Sequence, residues 1–166
     1  MNPIANGMLP WTRSCFVCGE GNPQGLHLRS HVEDGSVVIR YTPGSEHCGW
    51  RERVHGGIAM TLLDEVMTWA AILSSRRACV AAEFNVRLRK PMIVGHPLRI
   101  IGHAALGRSR LVLVEGTILD KDDDVVFASE GKYVPMDSNT ATLCVADFVD
   151  SPDTIAIADI FDDLPA

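Results

Sequence analysis

The sequence predicts an α+β fold in which one long central helix is wrapped by a curved antiparallel sheet of about six strands. Three observations predict it. First, an apolar stretch runs from Val54 to Leu73, opened by the pair Gly56-Gly57 and followed by Ser74, Ser75, Arg76 and Arg77. Basic residues suit the negative end of a helix dipole. The apolar residues fall on every side, and a helix that is apolar all round is normally buried all round. Second, β-rich runs flank this helix, two before it and four after it, joined by short turns, which imply antiparallel neighbours. Third, a single helix buried on all sides must be enclosed by a curved sheet or shared with a partner.

The elements follow in order. Residues 1–25 are rich in Gly, Pro and Asn and read as a turn-rich leader that packs on the domain. The main domain spans 26–136. Leu26 to His31 alternates weakly, Asp34-Gly35 is a hairpin signal, and Val37 to Tyr41 is a clear strand. A loop with His47, Gly49 and Trp50 leads into the helix. Ala78 to Leu88 alternates, with Phe84, Val86 and Leu88 on one face and Asn85, Arg87 and Arg89 on the other. Leu98 to Leu106, Arg110 to Leu119 and Val125 to Val134 complete the set, with a turn at Gly107-Arg108 and a charged tip from Asp120 to Asp124. Residues 137–166 form an acidic tail, in which Ile155 to Leu164 has the pattern of either a short amphipathic helix or a mobile end.

Composition excludes several classes. The chain has 166 residues, enough for one domain with a substantial core, and a formal net charge of -6. No basic excess points to nucleic acid. The first ten residues lack a basic region and a long apolar run, so they do not read as a secretory signal. The helix is nearly long enough to span a bilayer, but its two central acids would each cost roughly 2.5–3.5 kcal/mol there. A cytoplasmic protein without membrane partners is expected. The five cysteines (15, 18, 48, 79 and 144) are odd in number and scattered, unlike a disulfide framework. Cys15 and Cys18 form one C-x2-C, whereas zinc needs about four ligands. His27, His31 and His47 are within reach in sequence, but their spacing matches no finger, and no metal is expected.

Asp64 and Glu65 are the only charged residues between Gly57 and Ser74. Burying an unpaired carboxylate is costly, so each must meet a partner, a wet cleft or a ligand. A satisfied core acid and a catalytic carboxylate are both open at this point.

The chain resembles the hotdog-fold acyl-CoA thioesterases, specifically the phenylacetic-acid-pathway (PaaI-like) branch. The resemblance is carried by Gly49-Trp50, Val54-His55-Gly56-Gly57, Thr61-Leu62-Leu63-Asp64-Glu65, Glu83-Phe84-Asn85-Val86-Arg87, Pro91 and Val94-Gly95-His96-Pro97-Leu98. The leader segments 15–19 and 22–26 also look like those of family members, so the match runs from about residue 15 to 135.

The resemblance implies hydrolysis of a small-to-medium acyl-CoA, with no cofactor beyond the coenzyme A of the substrate. It makes Asp64 the group that activates water or attacks directly, and the Gly57 N–H the oxyanion donor. That suits the chemistry, because thioester hydrolysis needs a carboxylate and donors aimed at the developing oxyanion. A helix N-terminus supplies free N–H groups, and a glycine there allows close approach. Asp64 lies seven residues beyond Gly57, on nearly the same face and roughly 10 Å along the axis. The family resolves that separation with a homodimer, the glycine end of one helix facing the acid of the other, so that sites lie at the subunit interface; a tetramer is also open. Glu65, about 100° round the helix, reads as a structural acid, paired with a sheet arginine.

The remaining candidates line the substrate. His55, with Gly56, reads as a helix-start residue whose imidazole bonds a loop carbonyl. His47 is placed as an assisting donor, and Trp50 as a packing residue or pocket wall. Asn85 marks the strand motif. Arg87, Arg89 and Lys90 either form a solvated face or meet the phosphates of coenzyme A. One departure matters: where many relatives carry Ser or Thr, this chain has Ala81. The missing hydroxyl keeps open a non-catalytic acyl-ligand binding protein. A hotdog hydratase or dehydratase is a more distant alternative, because the H-G-G-x6-D pattern does not resemble those enzymes.

Overall fold

The structure is a computed structural model that describes residues 4–108, 110–149 and 151–162. Its elements are β1 (Gly7–Met8), β2 (His31–Glu33), β3 (Ser36–Tyr41), β4 (Cys48–Trp50), β5 (Arg53–Val54), α1 (Gly56–Ser75), β6 (Cys79–Leu88), β7 (Leu98–Arg108), β8 (Leu111–Leu119), β9 (Val125–Pro135), α2 (Ser138–Val145) and α3 (Ile157–Ile160). One antiparallel sheet has the order β1-β2-β3-β7-β8-β9-β6, and β4 and β5 form a separate two-stranded ribbon. The long helix packed against this sheet is the hotdog arrangement expected from the sequence.

Most predicted elements are present, with informative shifts. Only His31 of the run Leu26–His31 enters a strand. Leu26 and Leu28 instead donate backbone bonds to the carbonyls of Phe16 and Val17, at 2.8 and 2.9 Å, which ties this run to the leader. Asp34 and Gly35 form the predicted turn, with φ of 48° and 79°. This double left-handed conformation matches the twist of the flanking strands. Gly107 and Arg108 are not a turn: both belong to β7, and Arg108 pairs with Leu111.

The helix is held by the sheet at close quarters. Its residues Leu62, Leu63, Val66, Met67 and Ala71 are fully buried. Although α1 is long and apolar enough to cross a membrane by length and composition, here it fills the curve of the sheet. The closest approach is at Gly102 of β7, where a Cβ would lie 2.5 Å from the Val66 carbonyl oxygen and 2.7 Å from its carbon. The helix ends at Arg76, whose left-handed φ of 59° turns the chain and whose N–H still bonds Ile72 O at 2.7 Å.

The tail from residue 137 packs on the domain over its described length. Ile160 and Phe161 are buried, and Trp69, Phe148 and Phe161 pack in a row of tilted rings with centroids 5.5 and 6.0 Å apart. The expected helix over Ile155–Leu164 is the single turn α3, and Asp163 and Leu164 lie outside the described residues.

Candidate active site

The entrance to α1 is built by residues 41–57. His55 is the N-cap, and its Nδ1 accepts a hydrogen bond from the Gly57 N–H at 2.9 Å. The imidazole was expected to bond a loop carbonyl; instead it is the acceptor that satisfies one of the orphan donors of the first turn. The Gly57 N–H therefore already has a partner. A Cβ on Gly57 would sit 2.9 Å from that same ring nitrogen, so glycine is what lets the ring close on the helix end. The backbone N–H of His55 donates to the His47 carbonyl at 2.8 Å. The His47 ring is held in turn by the Tyr41 hydroxyl, 2.6 Å from Nδ1. Burial, with the nearby Glu46 carboxylate, pushes the Tyr41 hydroxyl up to about 12. His47, His55, Gly56 and Gly57 thus form one cluster.

Two turns further along, Asp64 is half-buried and receives a hydrogen bond from the Tyr133 hydroxyl at 3.1 Å. Thr68, one turn on, lies close enough to favour its charged form. Burial raises the Asp64 carboxyl above the usual range, and these two hydroxyls partly oppose that shift. A carboxylate with a raised pKa is a better base. Tyr133 is fully buried, and its own ionisation is pushed up by burial and by the Asp64 charge, so it stays a donor.

No sequence motif marks Tyr133. The available signal was its alternation with Phe127, Ser129 and Gly131 on β9, which places it inward; a buried tyrosine normally needs a partner for its hydroxyl. Tyr133 pairs with Ala81 on β6. The strand position that lacks a hydroxyl therefore lies beside one that brings a hydroxyl to Asp64.

Glu65 does not share this site. Its partners among the described residues are the Cys15 thiol, 3.8 Å away, together with Cys18 and Trp69, rather than the expected sheet arginine. Its carboxyl is enclosed although the residue keeps some exposure, and burial, with the nearby Cys15 and Asp64 charges, pushes it up to about 8.

The other candidates are dispersed. Asn85, Arg87 and Arg89 line a groove of about 640 Å³ with Glu115, Thr117 and Glu130, on the sheet face turned away from α1. Asn85 donates to Glu83 at 3.3 Å. Lys90 is in an ion pair with Asp124 of the β8–β9 hairpin. Trp50, expected to pack or to form a pocket wall, is 81% exposed within the single chain. It stands on β4 with Met60, Val80 and Leu88 as further exposed apolar side chains.

The sequence profile of the thioesterase superfamily matches residues 52–127, from the approach to α1 to the start of β9. No curated protein matches the chain. Among solved structures, a thioesterase superfamily protein is 27% identical over 74% of this chain and 60% of its own, with a TM-score of 0.65. The Escherichia coli PaaI protein from the phenylacetic acid degradation operon is 19% identical over 63% of this chain and 75% of its own, with a TM-score of 0.59. An acyl-CoA hydrolase from Staphylococcus aureus, in complex with butyryl coenzyme A, coenzyme A and coenzyme A disulfide, is 18% identical over 64% of this chain and 66% of its own, with a TM-score of 0.60. At those identities the last two bear on the fold alone.

Proposed function

We propose, proceeding from a hotdog chain whose residues 52–127 belong to the thioesterase superfamily, that this protein is a cytoplasmic acyl-CoA thioesterase that works as a homodimer. The observation that carries the reading is Asp64: a half-buried acid on the central helix, oriented by Tyr133, with no cation among its partners in the described residues. Such a carboxylate suits attack on a thioester carbonyl, by activated water or directly. In the water route Asp64 takes the proton as oxygen bonds the carbonyl carbon. The carbonyl oxygen gathers charge, the C–S bond breaks, the proton held by Asp64 passes to the departing sulfur, and the products are a carboxylic acid and the free coenzyme A thiol. The oxyanion donor is the Gly57 N–H, roughly 10 Å from the acid along one helix, so the site is completed by the helix of a second copy. The acyl oxygen must displace the His55 imidazole from that N–H.

Support for the dimer comes from the sheet edge. Strand β6 is ten residues long and terminates the sheet. Such an edge is a template for pairing, and its Val80 and Leu88 are 47% and 59% exposed. Leu88→Lys with Val80→Lys is expected to convert a dimer to a folded monomer and to remove hydrolysis with it. Light scattering coupled to size exclusion reads the first effect and thiol release the second. A dimer of unchanged mass would place the interface elsewhere.

Tyr133→Phe removes one hydrogen bond to a charged group, a loss of about 1.5–3 kcal/mol. Its expected effect is a fall in kcat of roughly ten- to a hundredfold, with KM unchanged. A change in KM alone would assign Tyr133 to binding.

A second reading, an acyl-CoA binding protein without turnover, is favoured by one observation: the Gly57 N–H is already bonded to His55. Thiol release measured over short, long and aromatic acyl-CoAs separates the two. Release from at least one class supports the enzyme. Tight binding with no release across the panel establishes the alternative.

A further inference from the structure

The geometry points to a divalent metal site, suited to zinc, formed by Cys15, Cys18 and Glu65, which fastens the N-terminal leader to the central helix. The single C-x2-C of the leader lacked further ligands in the sequence, and the nearby histidines had the wrong spacing. The fold supplies a ligand from 50 residues away instead: Glu65 Oε2 lies 3.8 Å from Cys15 Sγ. The two sulfurs and a Glu65 carboxyl oxygen all lie within 4.8 Å of one another. Around a tetrahedral zinc, sulfur–oxygen and sulfur–sulfur separations are about 3.5 and 3.8 Å. The ligand atoms therefore need to close by only ~1 Å to meet one ion.

The loop that presents the sulfurs is built to hold them. The Val17 N–H donates to Cys15 Sγ at 3.2 Å, an interaction that favours the thiolate form a metal requires. The Gly19 N–H returns to the Cys15 carbonyl at 3.0 Å. A Cβ on Gly19 would lie 2.4 Å from that carbonyl oxygen, so this tight turn admits only glycine at position 19. Arg29 donates to the Cys18 carbonyl at 2.7 Å and stacks over Trp11 at 4.1 Å, placing a positive charge behind the loop. Cys18 is buried and Cys15 half-buried, and a water would complete a tetrahedron around the ion.

A cation accounts for what other chemistry leaves unexplained. Once ionised, two thiolates and an enclosed carboxylate make a costly group unless a positive charge meets them. A Cys15–Cys18 disulfide would join the sulfurs but leave Glu65 facing a neutral bridge. A bound ion displaces the thiol protons and pairs all three groups at once. Its position next to Asp64 makes the leader a brace for the acid-bearing helix rather than part of the reaction.

The test uses the full chain, with zinc alone as the probe. After loading with Zn2+ and exhaustive dialysis, elemental analysis is expected to find one ion per chain, and Cys144→Ser to retain it. Cys15→Ser and Cys18→Ser are expected to lose it, and Glu65→Gln to weaken binding by at least roughly tenfold, the lower end of what even an outer-shell partner costs. Should the cysteine variants fail to fold, Co2+ substitution of the unaltered protein is expected to show tetrahedral absorption with charge transfer from two thiolates. The proposal is overturned if the dialysed protein holds no zinc, if Cys15→Ser keeps the ion, if the Co2+ spectrum shows fewer than two thiolates, or if Cys15 and Cys18 are recovered as a disulfide. None of these outcomes depends on whether the protein hydrolyses a thioester.

Discussion

Asp64→Asn is expected to lower kcat/KM for acyl-CoA hydrolysis by roughly 10²–10⁴-fold, the range contributed by a positioned acid–base group, while the protein melts at or above the temperature of the unaltered chain. The two halves of this result come from one cause. The Asp64 carboxyl is half-buried, and burial disfavours its charged form. An amide has almost the same shape, can still accept from the Tyr133 hydroxyl, and carries no charge to desolvate. What it cannot do is take a proton from water or attack a carbonyl. Loss of activity together with retained or raised stability is the signature of a group kept for chemistry at a cost to the fold. Hydrolysis at the normal rate would remove Asp64 from the mechanism. A large drop in melting temperature would recast it as a core acid satisfied by Tyr133. Glu65→Gln serves as the comparison, because its carboxyl faces Cys15 and Cys18 instead of the Tyr133 side.

The separation of these two acids was legible before the structure, and their partners were not. Helical geometry alone puts Asp64 on the face of Gly57 and Glu65 about 100° away, and the structure sends the two carboxyls to different neighbours. The partners come from distant chain segments. Tyr133 lies 69 residues from Asp64, and the cysteine loop lies 50 residues from Glu65. Spacing within one element carries no information about such pairs. The same limit explains His55. Its place at the helix start was readable, but whether its ring would accept from the helix or bond the loop depended on the path of residues 41–54, which follows no simple period. The strands fared better because alternation reports the buried face directly. Phe84 and Val86 are partly buried while Asn85 and Arg87 are exposed, as the pattern required, but Leu88 at the strand end departs from it and is exposed in the single chain. The turn assigned to Gly107-Arg108 failed because the two residues pair with Val112 and Leu111, so the ladder with β8 continues the strand through them.

Gly102→Ala is expected to be the most damaging single-methyl change among the glycines facing α1, costing on the order of 3 kcal/mol, the upper end of ordinary overpacking, and roughly 6–12 °C in melting temperature. The added carbon would stand 2.5 Å from the Val66 carbonyl oxygen, 2.7 Å from its carbon and 3.1 Å from the Met67 nitrogen. All three are backbone atoms of a helix that cannot give way locally, so the helix must move bodily off β7. Gly116 on the neighbouring strand is the natural control, because it pairs with Gly102 in register. Its nearest obstacles are side-chain atoms instead: the Met67 sulfur at 2.6 Å and a Leu63 methyl at 3.0 Å. A thioether can rotate aside, so Gly116→Ala should cost clearly less. The expected order of melting temperatures is therefore unaltered protein, then Gly116→Ala, then Gly102→Ala, and equal melting of the two variants would mean that the helix is free to shift. The consequence reaches the site, because the backbone that Gly102 admits belongs to Val66 and Met67, immediately after Asp64 and Glu65. A helix displaced there carries Asp64 away from Tyr133, so Gly102→Ala is expected to lose activity even at temperatures where it stays folded.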